Sequence, residues 1–291
     1  MKRLKKNRFL IICHAIMAFI SVTMVVPFVL LIISSFTSET AAVKYGYSFI
    51  PKEWSIAAYQ YVLKNWQLYG KAYLITICVT AAGIFFGVLF SALMGYVLSC
   101  KDVPGNKILM AYVMFTMLFN GGLVAAYINY VQVFHIKNTY WGLLIPNLLC
   151  KAFSIVMLKN YFQTSVPGEL NEAARIDGAS EFAIFFRIVA PLSKPILATV
   201  ALITGLAYWN DWQNGLYFLD DPSMHGIQNI LNNINSSAQY LMQFGSGVEG
   251  TIPTTTARMA VAVIGILPIL LIYPFFQEFF AKGLTAGAVK G

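Results

Sequence analysis

The chain is poor in charge: 11% of its 291 residues are Asp, Glu, Lys or Arg, against roughly a quarter in soluble domains. With 58% hydrophobic residues and a mean hydropathy of +0.67, that shortage excludes an ordinary soluble globule and points to a membrane protein. Cysteine is scarce as well. Cys13, Cys78, Cys100 and Cys150 lie far apart in or beside apolar runs, with no CxxC spacing, so they read as small packing residues. His14, His135 and His225 are equally scattered, and no metal is expected. Internal repeats, low-complexity segments and the alternating strands of an outer-membrane barrel are all missing. So is a GxxxxGK[ST] loop, the phosphate cradle of a nucleotide-hydrolysing chain.

What charge there is has one dominant sign, a formal +8. Most Lys and Arg sit in short clusters beside apolar runs, as orientation signals do, rather than on the basic face of a soluble fold. No nucleic-acid partner is expected.

Six apolar segments are long enough to span a hydrocarbon core, which takes about twenty residues. They run from about Phe9 to Phe36, Ala72 to Ser99, Ile108 to Val131, Tyr140 to Phe162, Ile196 to Trp212 and Ala257 to Phe280. Lipid offers the backbone no hydrogen-bond partner, so each should be helical and the protein all-α. The first run is too long for a signal-peptide core and lacks a small-residue cleavage site, so it is expected to be retained. Lys2, Arg3, Lys5, Lys6, Arg8, Lys101, Lys107, Lys159, Arg175, Arg187, Lys194, Lys282 and Lys290 fall on one side. Only Lys44, Lys52, Lys64, Lys71, Lys137 and Arg258 fall on the other. The positive-inside rule then puts both termini in the cytoplasm.

This divides the chain into a first span with its external loop (1–71), a five-helix core (72–282) and a cytoplasmic tail (283–291). The core includes a long internal loop, 163–195, and an external loop, 213–256, rich in Asn, Ser, Gly and Gln. Gly83, Gly87, Ser91 and Gly95 recur every four residues in the second span, a small-residue face that lets a neighbouring helix approach closely. Helix breakers interrupt other spans: Gly121 and Gly122 beside Asn120, Pro146 beside Asn147, and Pro268 with Pro274. Such interruptions often line a cavity. Lys151 falls near the middle of the fourth span, where an unpaired lysine costs roughly 2.5–3.5 kcal/mol on insertion scales. It should face the bundle interior or water, or the span is displaced.

The internal loop carries the most information. Pro167 suits a first helical turn, Glu169 its positive end, and Gly178 a left-handed terminus. A second helix should open with Ser180 as N-cap and Glu181 in its first turn, and should place Phe182, Phe185, Phe186 and Val189 on one face at i, i+3, i+4, i+7. The first helix is of another kind. Tiny Ala173 and Ala174 flanked by Glu172, Arg175 and Asp177 suit entry into a groove on another protein, with charges for its rim, although an ordinary amphipathic loop helix fits the same composition.

The spacing of Glu172-Ala173-Ala174, Asp177-Gly178-Ala179, Ile188-Val189-Ala190-Pro191-Leu192 and Pro195 resembles the EAA loop of binding-protein-dependent ABC importer permeases. Tyr96-Val97-Leu98-Ser99, Phe119-Asn120-Gly121-Gly122, Trp209-Asn210-Asp211-Trp212 and the closing Lys282 to Gly291 are similar to its carbohydrate-uptake branch, of MalG-like permeases, and within it to the LplC and YtcP type that serves complex oligosaccharides.

That resemblance implies a MetI-like ABC permease fold in the plasma membrane and a chain that binds no cofactor of its own. ATP and Mg would be used by two cytoplasmic ABC ATPase subunits. A homologous second permease subunit would complete the path, and an extracellular sugar-binding protein would deliver the sugar. Glu172 would be the charged anchor in the ATPase, Ala173 and Ala174 the close-fitting face, Gly178 the sharp turn, with Asp177 and Ala179 in the same motif; the tail from Lys282 would also touch the ATPases. For the substrate path the candidates are Asn120, Asn147, Trp209, Asn210 and Trp212: amides that can bond hydroxyls and aromatic faces on which sugar rings lie. Each Trp could equally anchor a span at the interface, and Asn120 and Asn147 could hold helices together. The rival classes are an ion-coupled secondary carrier, disfavoured because all twelve acids lie in loops or near the ends of spans, and a membrane-embedded enzyme. Asp220-Asp221 and His225 lack the nucleophile and base that an enzyme needs.

Overall fold

The computed structural model describes residues 2–100, 102–148, 151–244 and 254–286. Among these the only strand-like pairing is an isolated antiparallel bridge between Thr37 and Trp54; the rest is helix and loop. In chain order the helices are α1 (Lys2–Ser35), α2 (Glu39–Tyr45), α3 (Ala57–Lys64), α4 (Trp66–Ser99), α5 (Asn106–Leu118), α6 (Leu123–Ile128), α7 (Trp141–Leu148) and α8 (Ala152–Ser165). Next come α9 (Gly168–Ile176), α10 (Glu181–Ile184), α11 (Ala190–Leu192), α12 (Lys194–Trp209), α13 (Gln213–Phe218), α14 (Ile227–Phe244) and α15 (Thr254–Ala286).

Three straight stretches are long and apolar enough to cross a membrane: Phe9–Ser35, Trp66–Ser99 and Thr255–Phe275. Two of the other expected spans are bent, and a third bend separates the internal loop from the fifth. Asn106–Leu118 meets Leu123–Val133 at 114°, Trp141–Leu148 meets Ala152–Ser165 at 49°, and Glu181–Leu192 meets Lys194–Trp209 at 86°. The single helix expected over Ile108–Val131 is therefore replaced by two short ones. The cause is local: Phe119 leaves α5 in an extended conformation, and Gly122 takes φ +86° just before α6, its N–H donating to Asn120 Oδ1 at 2.9 Å. In the fourth segment Pro146 lies inside α7, and Lys151 opens α8 as its N-cap.

The chain forms two compact units, one of residues 1–69 and 231–267, the other of 70–230 and 268–291. In the first, the apolar side chains of α1 from Phe9 to Val29 are almost all exposed, as suits a helix whose neighbours are lipid or another chain. Packing begins at its C-terminal end, where Ser35 shares a hydrogen bond with Tyr59 Oη and Phe36 lies against the Tyr59 ring. A carboxylate then organises the start of the last long helix. The N–H groups of Thr255 and Thr256 donate to Glu39 at 2.9 and 2.8 Å, and the Thr256 hydroxyl at 2.6 Å. These are first-turn donors with no intrahelical acceptor, at the positive end of α15. Arg258, one turn on, donates to Asn235 Oδ1 and Tyr47 Oη.

In the second unit the main core joins Ala92 and Tyr96 of α4, Leu158 and Phe162 of α8, and Ile196 and Val200 of α12 to Val166, Ile184, Phe185 and Val189 of the 163–195 loop. The small-residue face of α4 is used as its sequence suggests. A methyl at Gly83 would overlap the Tyr208 ring, and a Cβ at Gly95 would lie 3.0 Å from Leu158 Cβ and 3.2 Å from the Ile155 carbonyl oxygen. In lipid, such close contact replaces a hydrophobic drive as the source of helix association.

Removing the carboxylate in Glu39→Ala should leave buried first-turn donors of α15 unpaired. The expected loss is about 1–2 kcal/mol, read as a lower unfolding temperature of the detergent-purified protein; an unchanged midpoint would refute the capping role.

Candidate functional site

The 163–195 loop folds as two short helices joined by a closed turn. Pro167 stands one position before the first helical residue, as the N-cap rather than in the first turn. At the other end Gly178 takes φ +80°, its N–H donates to the Arg175 carbonyl at 3.0 Å, and the Ala179 N–H donates to the Ala174 carbonyl at 2.9 Å. This pair of reverse bonds is a Schellman terminus, satisfying carbonyls that α9 leaves open. Ser180 caps the next helix as expected, its hydroxyl accepting from the Ala183 N–H at 3.3 Å.

No residue of α9 is buried. Glu169, Glu172, Ala173 and Ile176, spaced i, i+3, i+4, i+7, share one exposed face, flanked by Leu170 and Asp177. Ile176 is 86% exposed, an apolar side chain of a kind normally covered. Ala174 and Ala179 point the other way and pack partly against the loop's own core, so the two alanines of the motif serve opposite faces. Ile176 is absent from the residues that sequence reasoning singles out, although its heptad-like spacing from Glu169 is visible there.

The expected stripe Phe182, Phe185, Phe186 and Val189 is corrected. Ile184, Phe185 and Val189 are buried, whereas Phe182 is 68% and Phe186 53% exposed. The reason is a π-helical turn over Phe185–Val189. Its wider winding shifts the register, so a period of 3.6 no longer marks one face.

A polar clamp fixes this loop to the end of α4. Arg175 Nε donates to Glu181 Oε1 at 2.7 Å and a terminal nitrogen to Oε2 at 3.3 Å, while Tyr96 Oη donates to Oε2 at 2.6 Å. Arg175 also lies 3.8 Å from Asp102. The Arg175 guanidinium, and then the Tyr96 hydroxyl, hold the Glu181 carboxyl below the usual carboxylate range. The sequence contains these residues but does not reveal that they meet, because Tyr96 and Glu181 are 85 positions apart.

A second polar cluster lies at the break between α7 and α8. Asn147 Nδ2 donates to Asp211 Oδ2 at 2.6 Å, and Asp211 also accepts from the Asn214 side chain at 2.5 Å and its backbone N–H at 3.1 Å. Lys151 Nζ stands 5.3 Å from the centroid of the Tyr208 ring, whose hydroxyl donates to the Leu144 carbonyl. Lys151 is thus half-buried at a helix break rather than mid-helix. Beside the cluster Ile75, Thr76, Val79, Leu143, Tyr208, Asp211, Gly226 and Asn229 line a cavity of about 20 Å³, room for one water.

The five expected path residues separate on this frame. Asn147 joins the Asp211 cluster. Asn210 is exposed and its amide closes the end of α12 on the Leu206 carbonyl at 3.0 Å. Trp212 is partly exposed, its carbonyl accepting from Asn229 at 2.6 Å. Asn120 sits at the separate α5–α6 break. Trp209 is only 6% exposed and packs edge-on to Tyr73. Asp211 escapes sequence reasoning because it reads as an acid at the end of a span.

Straight and bent apolar helices, with a charge-clamped loop between two of them, mark a multi-span membrane protein. Residues 87–286 match the family described as binding-protein-dependent transport system inner membrane component, and the chain belongs to that family, a component of the bacterial cell membrane. It is 37% identical to the polygalacturonan/rhamnogalacturonan transport system permease protein YtcP of Bacillus subtilis, over 98% of this chain and 100% of the relative. Identity to Protein LplC of Bacillus subtilis is 33%, over 100% and 98%. A solved bacterial ABC transporter involved in the import of the acidic polysaccharide alginate superposes with a TM-score of 0.80 at 26% identity, covering 94% of this chain and 97% of that one. These relatives are transport proteins rather than enzymes, and the fold is that of ABC permeases.

Glu181→Gln should weaken the clamp. Because the carboxyl is held low, its stabilisation is present at neutral pH and lost as pH falls through the folded-state value. The thermal midpoint of Glu181→Gln should therefore lie below that of the parent at pH 7, with the gap closing below about pH 4; a pH-independent gap would contradict the assignment.

Proposed function

We propose that the chain is one permease subunit of an ATP-driven oligosaccharide importer, forming half of the translocation path and coupled to cytoplasmic ATPases through α9. Family membership requires an importer with a partner permease, an ATPase and a solute-binding protein in general terms. The sugar class follows from relatives named for polygalacturonan, rhamnogalacturonan and arabinooligosaccharides.

The single observation that carries the coupling is the α9 surface. Glu172, Ala173 and Ile176 form an uncovered face on a helix whose other side is tied to the core by Ala174, Ala179 and the Arg175–Glu181–Tyr96 clamp. A small-centred, acid-edged face with one projecting apolar side chain suits a cleft on a second protein. Glu172 and Asp177 supply the rim charges, Ala173 the close approach and Gly178 the closed turn that hands motion to Ile184 and Phe185. ATP and Mg are used by the partner ATPases.

In this reading six spans cross the membrane, two of them bent, with both termini and the 163–195 loop in the cytoplasm. The first span and external loop (1–71), the core (72–282) and the tail (283–291) keep the roles the sequence suggests; residues 287–291 of that tail and 245–253 of the external loop 213–256 lie outside the described residues. The path is lined by Asn120, Asn147, Trp209, Asn210 and Trp212. The external loop meets the sugar-binding protein.

Glu172→Lys and Ile176→Asp should each reduce co-purification of the ATPase at least about tenfold, the scale of an interface hot spot, while the partner permease still co-purifies. Wild-type ATPase yield and sugar uptake in both variants would overturn the coupling role of α9.

A further inference from the structure

Lys151 is a cation in an apolar segment whose position no coupling or packing role explains. It opens α8 as N-cap without a side-chain capping bond, so its ammonium adds to the positive end of a helix of 14 residues. Tyr208 holds it through the ring face, 5.3 Å from Nζ to centroid, an interaction that engages the charge but leaves the N–H donors for an acceptor. The ring is itself fixed, by its hydroxyl bond to the Leu144 carbonyl and by contact with Gly83, where a side chain would overlap it.

Asp211 belongs to the same cluster, yet it forms no ion pair with Lys151. The three ion pairs among the described residues use Lys137 and Arg175. Asp211 is taken instead by amides: Oδ2 accepts from Asn147 and Asn214, and Oδ1 from the Asn214 N–H. Those three donors orient the carboxylate, so the ammonium keeps donors for a third group. A path for neutral sugars needs only amides and aromatic faces; an ammonium held half out of water on a rigid aromatic shelf is useful to an anion that arrives and leaves.

We propose that Lys151 reads a carboxylate on the transported sugar, so that this permease selects acidic, uronate-bearing oligosaccharides over neutral ones of equal length. The proposal rests on the reading of the chain as half of a sugar path.

Uptake by the complete importer is measured with a galacturonate oligosaccharide and with its methyl ester, which has the same length and no charge, for the parent, Lys151→Met and Lys151→Arg. Assembly is followed by co-purification of the partner subunits. The expected result is a loss of acid-sugar uptake of at least tenfold in Lys151→Met with ester uptake unchanged, and acid-sugar uptake largely restored in Lys151→Arg. Equal loss of both substrates, or no loss of either, overturns the proposal while leaving the importer reading intact. If Lys151→Met does not assemble, competition in the parent decides: the acid must outcompete its ester, and the reverse order overturns the proposal. A parent complex that imports neither sugar in an ATP-dependent way sinks the importer reading, and this proposal with it.

Discussion

The burial of Ile184, Phe185 and Val189 among Ala92, Tyr96, Leu158, Phe162, Ile196 and Val200 is the contact on which the rest of the structure depends. It places a segment of an interhelical loop inside the core that α4, α8 and α12 build together. A nine-residue helix such as α9 has little stability of its own. Its orientation is set by the groups at and beyond its C-terminal end: the Gly178 terminus, the Ser180 cap and the Arg175–Glu181–Tyr96 clamp. Close-packed interiors transmit displacement rather than absorb it. The base of α9 is therefore packed against α4, α8 and α12 together, and the clamp, being made of exposed or half-exposed charges, adds direction more than stability.

The second constraint is the treatment of helix breaks. An interrupted helix exposes backbone groups that lipid cannot satisfy, so breaks are tolerated where protein or water supplies partners. Two of the breaks here carry an asparagine. Asn120 bonds the Gly122 N–H, and Asn147 stands one turn before Lys151 and bonds Asp211 from the segment after α12. The polar groups that hold these breaks are the same groups that can face a hydrated path. That overlap explains why structural and transport roles for Asn147 are not alternatives.

How much of this is legible in the sequence depends on the range of the interaction. Capping is local, so Gly178 and Ser180 can be read directly, and the small-residue face of α4 follows from a fixed four-residue spacing. The phenylalanine stripe cannot be read correctly, because a π-turn shifts the register without any distinctive residue type. A hydropathy window likewise finds the third apolar segment but averages over Gly121 and Gly122, and so misses a bend of 114°. The burial of Trp209 against Tyr73 cannot be read from the sequence, because the two are far apart in it. Glu181 reads as a helix-start acid, which it is, while its pairing with Tyr96 requires the fold.

Asp211 bears on the choice between energy sources. An ion-coupled carrier needs acids well inside its spans, and the sequence places Asp211 at the end of one; the structure brings it into contact with Asn147 of the fourth segment. A proton relay, however, needs neighbours that can both give and take protons. Asp211 accepts from the side-chain amides of Asn147 and Asn214 and from the Asn214 backbone N–H, groups that donate hydrogen bonds but take up no proton. An acid surrounded in this way acts as an anchor between the fourth segment and the end of α12.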